Sequence, residues 1–314
     1  MEPNLVYGPV PSRRLGRSLG LDLVPFKTCT YDCIYCQLGR TTNKTNERRC
    51  YVPIDLALGQ LSEKLISEPL PDFIGLAGSG EPTLHSGIGE IIDGIKRMTD
   101  VPIAVLTNGS LLWDVNVQRS LSNADLVLPS LDAGTSETFQ RVNRPHPDLP
   151  FDRMVEGLVE FTHGFKGRVD LEVFVLSGLT DQEEEMARIA AIAERMGPSR
   201  VQLNTASRPP AEKSAIAVNR SRLESLRKHF KIPCEIIAEH GPTLRTPSLD
   251  PQDANERILS LLERRPCTVK GIATGLNLAP NDVIKHLDWL ETNGKIQSER
   301  RDNSIFYEGT KGRP

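Results

Sequence analysis

The stretch that decides the fold is Cys29-Thr30-Tyr31-Asp32-Cys33-Ile34-Tyr35-Cys36. Half of the chain's six cysteines fall within it, spaced C-x3-C-x2-C, while Cys50, Cys234 and Cys267 stand alone. Three thiolates on one short loop can face a common point. Structural zinc takes four ligands and ordinary iron–sulfur clusters take four thiolates, so three cysteines with no histidine nearby leave one metal position open for an exogenous ligand. A zinc site that borrows a distant ligand and three unrelated thiols are the alternatives. The isolated cysteines fit small, buried apolar residues.

Working outward, the loop follows the first of six short apolar, β-branched runs: residues 19–25, 73–77, Ile103–Thr107, 126–131, 169–176 and 200–204. Between them the apolar spacing is helical over Ile54–Ser67, Ile88–Met98, 154–163, 181–196 and 219–230. The first of these places Leu56, Leu61, Leu65 and Ile66 near one face. Strand and helix alternating in this way predict an α/β fold, a parallel sheet with helices packed outside. Six units suit an incomplete barrel better than a closed eight-unit one, and a doubly wound open sheet has the same periodicity. In each case ligands gather at the C-terminal ends of the strands, where the cysteine loop sits.

Residues 240–252 hold Pro242, Pro247 and Pro251 with few large apolar side chains, and they read as a linker between a domain at 1–239 and a smaller one at 253–310. In the smaller domain helical spacing covers 254–263, 268–274 and 281–292, with Pro280 opening the last helix and Asn293-Gly294 closing it. Alternation over 295–301 and 304–308 flanks a hairpin turn at Asp302-Asn303. Three helices and a two-stranded wing predict a small α+β winged helix-turn-helix. Trp289, with Val283, Leu287 and Leu290 around it, reads as core.

The motifs of the first domain resemble those of the radical S-adenosylmethionine (SAM) superfamily. Cys29-x3-Cys33-x2-Cys36, with aromatic Tyr35 before the last cysteine, is similar to the family's cluster motif. Gly78-Ser79-Gly80-Glu81-Pro82, after the second strand, is similar to its Gly-Gly-Glu-Pro segment. The resemblance implies an incomplete (β/α)6 radical SAM barrel, a [4Fe-4S] cluster on Cys29, Cys33 and Cys36, and SAM as the ligand of the open iron. It implies SAM contacts from Tyr35, Ser79, Gly80 and Glu81, with the loop backbone and the Glu81 carboxylate on the amino group. Thr107, Asn108, Ser130 and Asp132 match positions that touch the ribose or methionine moiety, and Leu203 and Asn204 match positions near adenine. Ser130 and Asp132 share a strand face by the two-residue period.

In that family a cluster reduced by a flavodoxin- or ferredoxin-type donor cleaves SAM, and the 5′-deoxyadenosyl radical abstracts hydrogen from an unactivated carbon. Such a cluster implies oxygen sensitivity. The opening Tyr7-Gly8-Pro9-Val10-Pro11-Ser12-Arg13-Arg14-Leu15-Gly16 resembles the branch grouped with wyosine-type tRNA synthases, as does Ile34-Tyr35-Cys36-Gln37-Leu38-Gly39. Those enzymes carry a second cluster on further N-terminal cysteines, and no cysteine precedes Cys29 here. The radical mechanism carries over; the substrate does not.

The 314 residues are 38% hydrophobic and carry 38 Lys+Arg against 41 Asp+Glu, net −3 at pH 7, which excludes a disordered or collagen-like chain and a chain-wide cationic surface for phosphates. The longest uncharged stretch, residues 101–113, is far short of the ~20 apolar residues of a membrane span. Met1-Glu2-Pro3-Asn4 lacks the basic-then-apolar pattern of a signal, so a cytoplasmic protein without membrane partners is expected.

Arg13, Arg14, Arg144 and Arg208 lie in loops near prolines and are candidate substrate-binding donors for an anion. Glu172, in mid-strand, is expected to face the barrel interior. His85 reads as a helix-start residue. In 281–292, Lys285 stands against Asp282, Asp288 and Glu291, net −2, which argues against entry into a DNA groove, whereas the wing has Lys295, Arg300 and Arg301. The leading expectation is a radical SAM enzyme acting on a peptide, protein or RNA, with peptide or protein ahead on charge. The alternatives are an iron–sulfur, SAM-responsive regulator that binds DNA through its winged helix, and a SAM-binding scaffold without turnover.

Overall fold

Apolar runs long enough for one strand, each followed by an amphipathic helix, wind into a sheet whose order follows the chain. The computed structural model describes residues 3–12, 14–67, 69–207, 210–237, 251–276, 278, 280–301 and 304–310. Arg13, Arg208, the turn residues Asp302 and Asn303, and all but the end of the expected 240–252 linker lie outside the described residues.

The chain opens with β1 (Val6–Ser12) and β2 (Gly16–Leu21), an antiparallel hairpin. Two short strands around the cysteine loop follow, β3 (Thr28–Cys29) and β4 (Asn43–Lys44). The winding then runs α1 (Ile54–Ser67), β5 (Phe73–Leu76), α2 (Ile88–Met98), β6 (Ile103–Thr107), α3 (Val115–Leu121) and β7 (Leu126–Pro129). After β7 come α4 (Ser136–Val142), α5 (Phe151–Gly164), β8 (Arg168–Val175), α6 (Glu183–Met196), β9 (Arg200–Thr205), α7 (Arg220–Leu226) and β10 (Cys234–Ile236).

The eight-stranded sheet has the order β1-β2-β5-β6-β7-β8-β9-β10, parallel throughout except for β1. The six expected strands are its centre. The structure adds β1 at one edge and β10, from the apolar run at Cys234, at the other.

Period-two alternation sends Leu171, Val173 and Val175 of β8 outward to the helices, where they join Ile91, Ile92 and Ile95 of α2 in the main core. The inward side chains of β6 and β7, Ala104, Leu106, Leu126 and Leu128, close around Leu15. The β1–β2 turn, at the N-terminal end of β2, therefore stoppers the barrel from below. Ile66 is an exception to the expected α1 face: it is 85% exposed, because the sheet covers only the stripe through Ala57 and Leu61.

The C-terminal unit consists of α8 (Pro251–Arg264), α9 (Val269–Leu276), α10 (Pro280–Thr292), β11 (Ile296–Arg301) and β12 (Ser304–Gly309). Ile258, Leu261, Leu262, Ile272, Val283, Leu287, Leu290 and Ile296 form its core, and Val10 of β1 belongs to the same cluster with Tyr7 packed against it. The winged helix thus shares apolar surface with the barrel's edge strand. Trp289 is half-exposed rather than core, since Val283, Leu287 and Leu290 already fill the stripe facing α8 and α9. Cys267 is buried as expected, Cys234 is half-buried, and Cys50 is exposed, its thiol donating to the Val52 carbonyl. Among the described residues no helix is long and apolar enough to cross a membrane.

Candidate active site

The cysteine loop leaves the C-terminal end of β2 and is pinned from two sides. Its backbone N–H groups at Asp32 and Ile34 donate to the carbonyls of Asn143 and Val142 at the end of α4, both at 3.0 Å. On the other side Lys27 N donates to Ser79 O at 2.7 Å, and Glu81 N donates to Thr28 O at 3.1 Å. Gly80 makes that approach possible: a β-carbon there would stand 1.8 Å from the Thr28 carbonyl oxygen. The Gly78–Pro82 segment is thereby seated against the residue preceding Cys29.

Each of the three sulfurs faces a nitrogen donor. Lys27 Nζ lies 3.2 Å from Cys36 Sγ, Asn143 Nδ2 3.5 Å from Cys33 Sγ, and Asn108 Nδ2 3.6 Å from Cys29 Sγ. Burial, followed by the charge of Glu81, pushes the Cys29 thiol up to about 12, and burial with the nearby Asp132 raises Cys33. Among the described residues no three His, Cys, Asp or Glu side chains converge on one metal ion. Thiolates that each take a different iron of one cluster need not converge in that way. A loop of three thiols, each provided with an N–H donor against a sulfur, fits a cluster whose sulfurs accept hydrogen bonds.

Glu81 is 2% exposed, and its carboxylate is already engaged. Oε1 accepts from Thr83 N (3.0 Å), Thr83 Oγ1 (2.6 Å) and Thr107 Oγ1 (2.6 Å), and Oε2 accepts from Asn108 N (2.7 Å). Burial raises its pKa against those four donors. The acidic side chain therefore ties the ends of β5 and β6 together. Asn108 makes a further bond from Nδ2 to Thr30 Oγ1 at 2.7 Å, joining β6 to the cysteine loop.

Across the barrel mouth Asp132 is 4% exposed and accepts from Tyr35 Oη, from Asn143 Nδ2 at 2.8 Å and from Phe174 N at 3.0 Å. Desolvation raises its pKa from 3.8 to about 6. Tyr35 stacks on Phe174 with ring centroids 3.9 Å apart. Ser130 bridges to Glu172 on β8 and is half-buried. Glu172 does point inward, accepting from Asn204 Nδ2 at 2.9 Å and from Arg14 at 2.5 and 3.1 Å.

Leu203, Arg14 and Arg144 stand differently from what the sequence suggests. Leu203 is fully buried in the core beneath the helices, because its neighbour Asn204 takes the inward face of β9 and the pleat turns Leu203 away from the mouth. Arg14 donates both terminal nitrogens to Glu172, so its guanidinium is paired within the barrel rather than held open for an anion. Arg144 is likewise engaged, 2.8 Å from Glu212 and 3.8 Å from Asp32. His85 is buried, with Nε2 on the Val52 carbonyl and Nδ1 accepting from Gly87 N, which makes it structural.

Lys27, Asn143 and Asp22 were not singled out from sequence. Lys27 carried a signal, a cation two residues before Cys29 in an apolar stretch, and it is 3% exposed with φ +58°. Asp22 accepts from Ser79 N at 3.0 Å and from Ser79 Oγ, holding the loop before Gly80.

Residues 23–190 match the family described as "Radical SAM superfamily", and residues 256–298 match "Bacterial regulatory protein, arsR family". The UPF0026 protein of Methanocaldococcus jannaschii is 33% identical over 311 residues, 96% of this chain and 95% of that protein. A Brachyspira hyodysenteriae protein named "GTPase Obg" is 41% identical over 303 residues, 96% of this chain but 45% of that protein, so the chain spans under half of that relative's length. Among solved structures, Streptococcus suis SuiB bound to S-adenosylmethionine superposes with a TM-score of 0.53 at 13% identity, over 69% of this chain and 50% of that one.

Proposed function

The chain belongs to the radical SAM superfamily and is an enzyme of it, and from that premise we propose that Cys29, Cys33 and Cys36 hold a [4Fe-4S] cluster with SAM at the open iron. Reduced by a flavodoxin- or ferredoxin-type donor, such a cluster would supply one electron to the sulfonium of bound SAM, whose S–C5′ bond would break to give methionine and a 5′-deoxyadenosyl radical for hydrogen abstraction. The observation that carries this reading is the donor set: three thiols on one loop, each with a nitrogen donor, with Gly80 seated on Thr28.

The chain's own residues do the positioning. Asn108 and Asn143 orient two of the sulfurs, and Lys27 places a positive charge beside the third. Glu81 fixes the ends of two strands, so that the backbone carbonyls of the Ser79–Gly80 segment would be held in place to accept from the amino group. Tyr35 and Asp132 build the opposite wall with Phe174, and Asn204 and Glu172 line the barrel beneath. Thr107 acts through Glu81, and Ser130 stands at the mouth beside Glu172. The Tyr35–Phe174 stack and the Leu15 cluster would form part of the apolar wall and floor of the chamber where the radical would form.

The substrate class favoured by the winged helix is a peptide or protein rather than RNA. Lys285 of α10 is paired with Asp282 at 3.1 Å, which leaves Asp288 and Glu291 to set the sign of that helix. The arsR-family match favours a second reading, a SAM-responsive DNA-binding regulator, and the same acidic helix opposes it. The test is anaerobic reconstitution with iron and sulfide, then SAM and a strong reductant, with 5′-deoxyadenosine as the readout and Cys33→Ala alongside. Product from the wild type alone supports the enzyme. A loaded cluster that binds SAM and yields none, together with a salt-dependent gel shift of duplex DNA, supports the regulator.

A further inference from the structure

The contact between the two units ends in the SAM loop. Arg264, the last residue of α8, spans the junction: Nη1 lies 3.2 Å from Asp22 Oδ2, Nη2 donates to the Asn4 carbonyl at 3.0 Å, and the guanidinium lies over the Tyr7 ring, 4.2 Å from its centroid. Two of these partners, Asp22 and Tyr7, lead on to the same place. Asp22 receives the backbone N–H and the hydroxyl of Ser79. Tyr7 Oη donates to the carbonyl of Ala77 at 3.0 Å, and the Tyr7 ring lies so close over Gly20 that a β-carbon there would fall 2.0 Å from it. Residues 77 and 79 are thus both held by groups that Arg264 touches. Gly78 between them has φ +155°, and a β-carbon there would meet the Asp22 carboxyl at 2.7 Å, so the loop lies directly on that carboxylate.

We propose that Arg264 of the winged helix is a positioning residue for the Ser79–Gly80 backbone, acting through Asp22, so that docking of the winged helix and binding of SAM strengthen one another. The proposal rests on the reading of that loop as the SAM amino-group site. Asp22 is 9% exposed in its side chain, and the Arg264 guanidinium beside it adds to the Ser79 hydroxyl and N–H donors in holding so buried a carboxylate charged and in place. Removing Arg264 leaves that charge with Ser79 as its nearest donor. The carboxyl then takes up a proton or turns toward solvent, and Ser79 loses the acceptor that fixes its backbone.

Coupling of this kind is reciprocal. A macromolecule that engages the winged helix and strengthens its hold on β1 tightens SAM binding, and one that pulls it away loosens SAM by the same factor. Recruitment of a substrate is thereby linked to loading of the cofactor.

The test is a double-mutant cycle on the full-length, anaerobically reconstituted protein, with SAM dissociation constants from equilibrium dialysis without reductant. Arg264→Ala and Asp22→Ala each weaken binding roughly fivefold, and the double variant is no weaker than Asp22→Ala alone within about twofold. Arg264→Lys keeps a point charge but not the planar fork that reaches Asp22, Asn4 and Tyr7 together, so it falls between. A thermal melt confirms that each variant is folded. In wild type, SAM slows amide exchange in α8; in Arg264→Ala it does not. An Arg264→Ala protein that binds SAM as wild type does, or two single effects that multiply in the double variant, overturns the proposal while leaving the SAM site standing. Wild-type protein with a full cluster and no SAM binding overturns the site, and the coupling with it.

Discussion

Replacing Gly80 with alanine tests the packing on which the candidate site depends. The new β-carbon would lie 1.8 Å from the Thr28 carbonyl oxygen, 2.8 Å from its carbon and 3.0 Å from Val24 Cγ2. Two of those atoms are backbone and cannot rotate away, so the segments must part by about 1.5 Å to regain ordinary contact. At that separation the bonds Glu81 N–Thr28 O and Lys27 N–Ser79 O, now 3.1 and 2.7 Å, are lost. Each is worth about 1 kcal/mol when exchanged for water and up to about 3 kcal/mol when a buried group is left unpaired, so the total is about 3–5 kcal/mol. For a domain of this size that lowers the melting temperature by roughly 10 °C.

SAM affinity falls at least about tenfold, since a loop displacement of this size removes the hydrogen-bonding geometry of Ser79 and Gly80. Gly59 in α1 is the matched control, because its β-carbon would meet nothing within 4 Å. Gly59→Ala gains about 0.5–1 kcal/mol from helix propensity alone. Differential scanning calorimetry and equilibrium dialysis read both effects. A Gly80→Ala protein that melts with the wild type and binds SAM equally well would refute the claim that these two loops are in close contact.

Lys27→Met removes a buried cation beside Cys36, and because positive charge favours the reduced, more negative cluster, the midpoint in an anaerobic redox titration moves to more negative potential; an unchanged midpoint sinks this assignment. Asp132 is raised from 3.8 to about 6 by desolvation, so between those pH values the folded protein holds a proton that the unfolded chain has released. Its contribution is fully present below the unfolded value and is lost as pH rises through the folded one. The stability of iron-free wild type relative to Asp132→Asn therefore falls by about 2 kcal/mol between about pH 4.5 and 7, and a flat difference contradicts the buried carboxylate. Glu172→Ala leaves the Arg14 guanidinium unpaired inside the barrel, with about 2–4 kcal/mol lost on chemical denaturation, and adding Arg14→Met returns part of it. If the double variant is less stable than Glu172→Ala, the pair is not what holds the hairpin turn in place.

The sequence made some elements legible to the residue. Ile54–Ser67, Ile88–Met98 and Ile103–Thr107 carry enough buried positions for their period to show. The seven-residue helices α3 and α4 make two turns each, too few for periodicity, and only their capping residues Asp114 and Thr135 mark them. β1 contains Gly8, Pro9 and Pro11, which read as a loop, yet an edge strand tolerates them because one side of its ladder is unpaired.

The site divides in the same way. The cysteine spacing and the Gly78–Pro82 segment are visible because the proposed ligation and the close backbone approach at Gly80 restrict the residue types. Leu203 and Asn204 could not be told apart, since the face of a strand turns on one residue of register. Lys27, Asn143 and Asp22 act on groups far away in the chain, and Asp22 meets Arg264 across 242 positions. No local pattern encodes such a pair.

The stopper at Leu15 has a consequence for traffic. A vessel plugged by an apolar cluster at its base would fill and empty at its rim. A bulky substrate settled on the rim would then trap whatever was loaded before it. On the proposed function that arrangement would impose an order, with the small molecule entering first and leaving last, and would make the opening hairpin as much a part of the reaction vessel as the loops at its mouth.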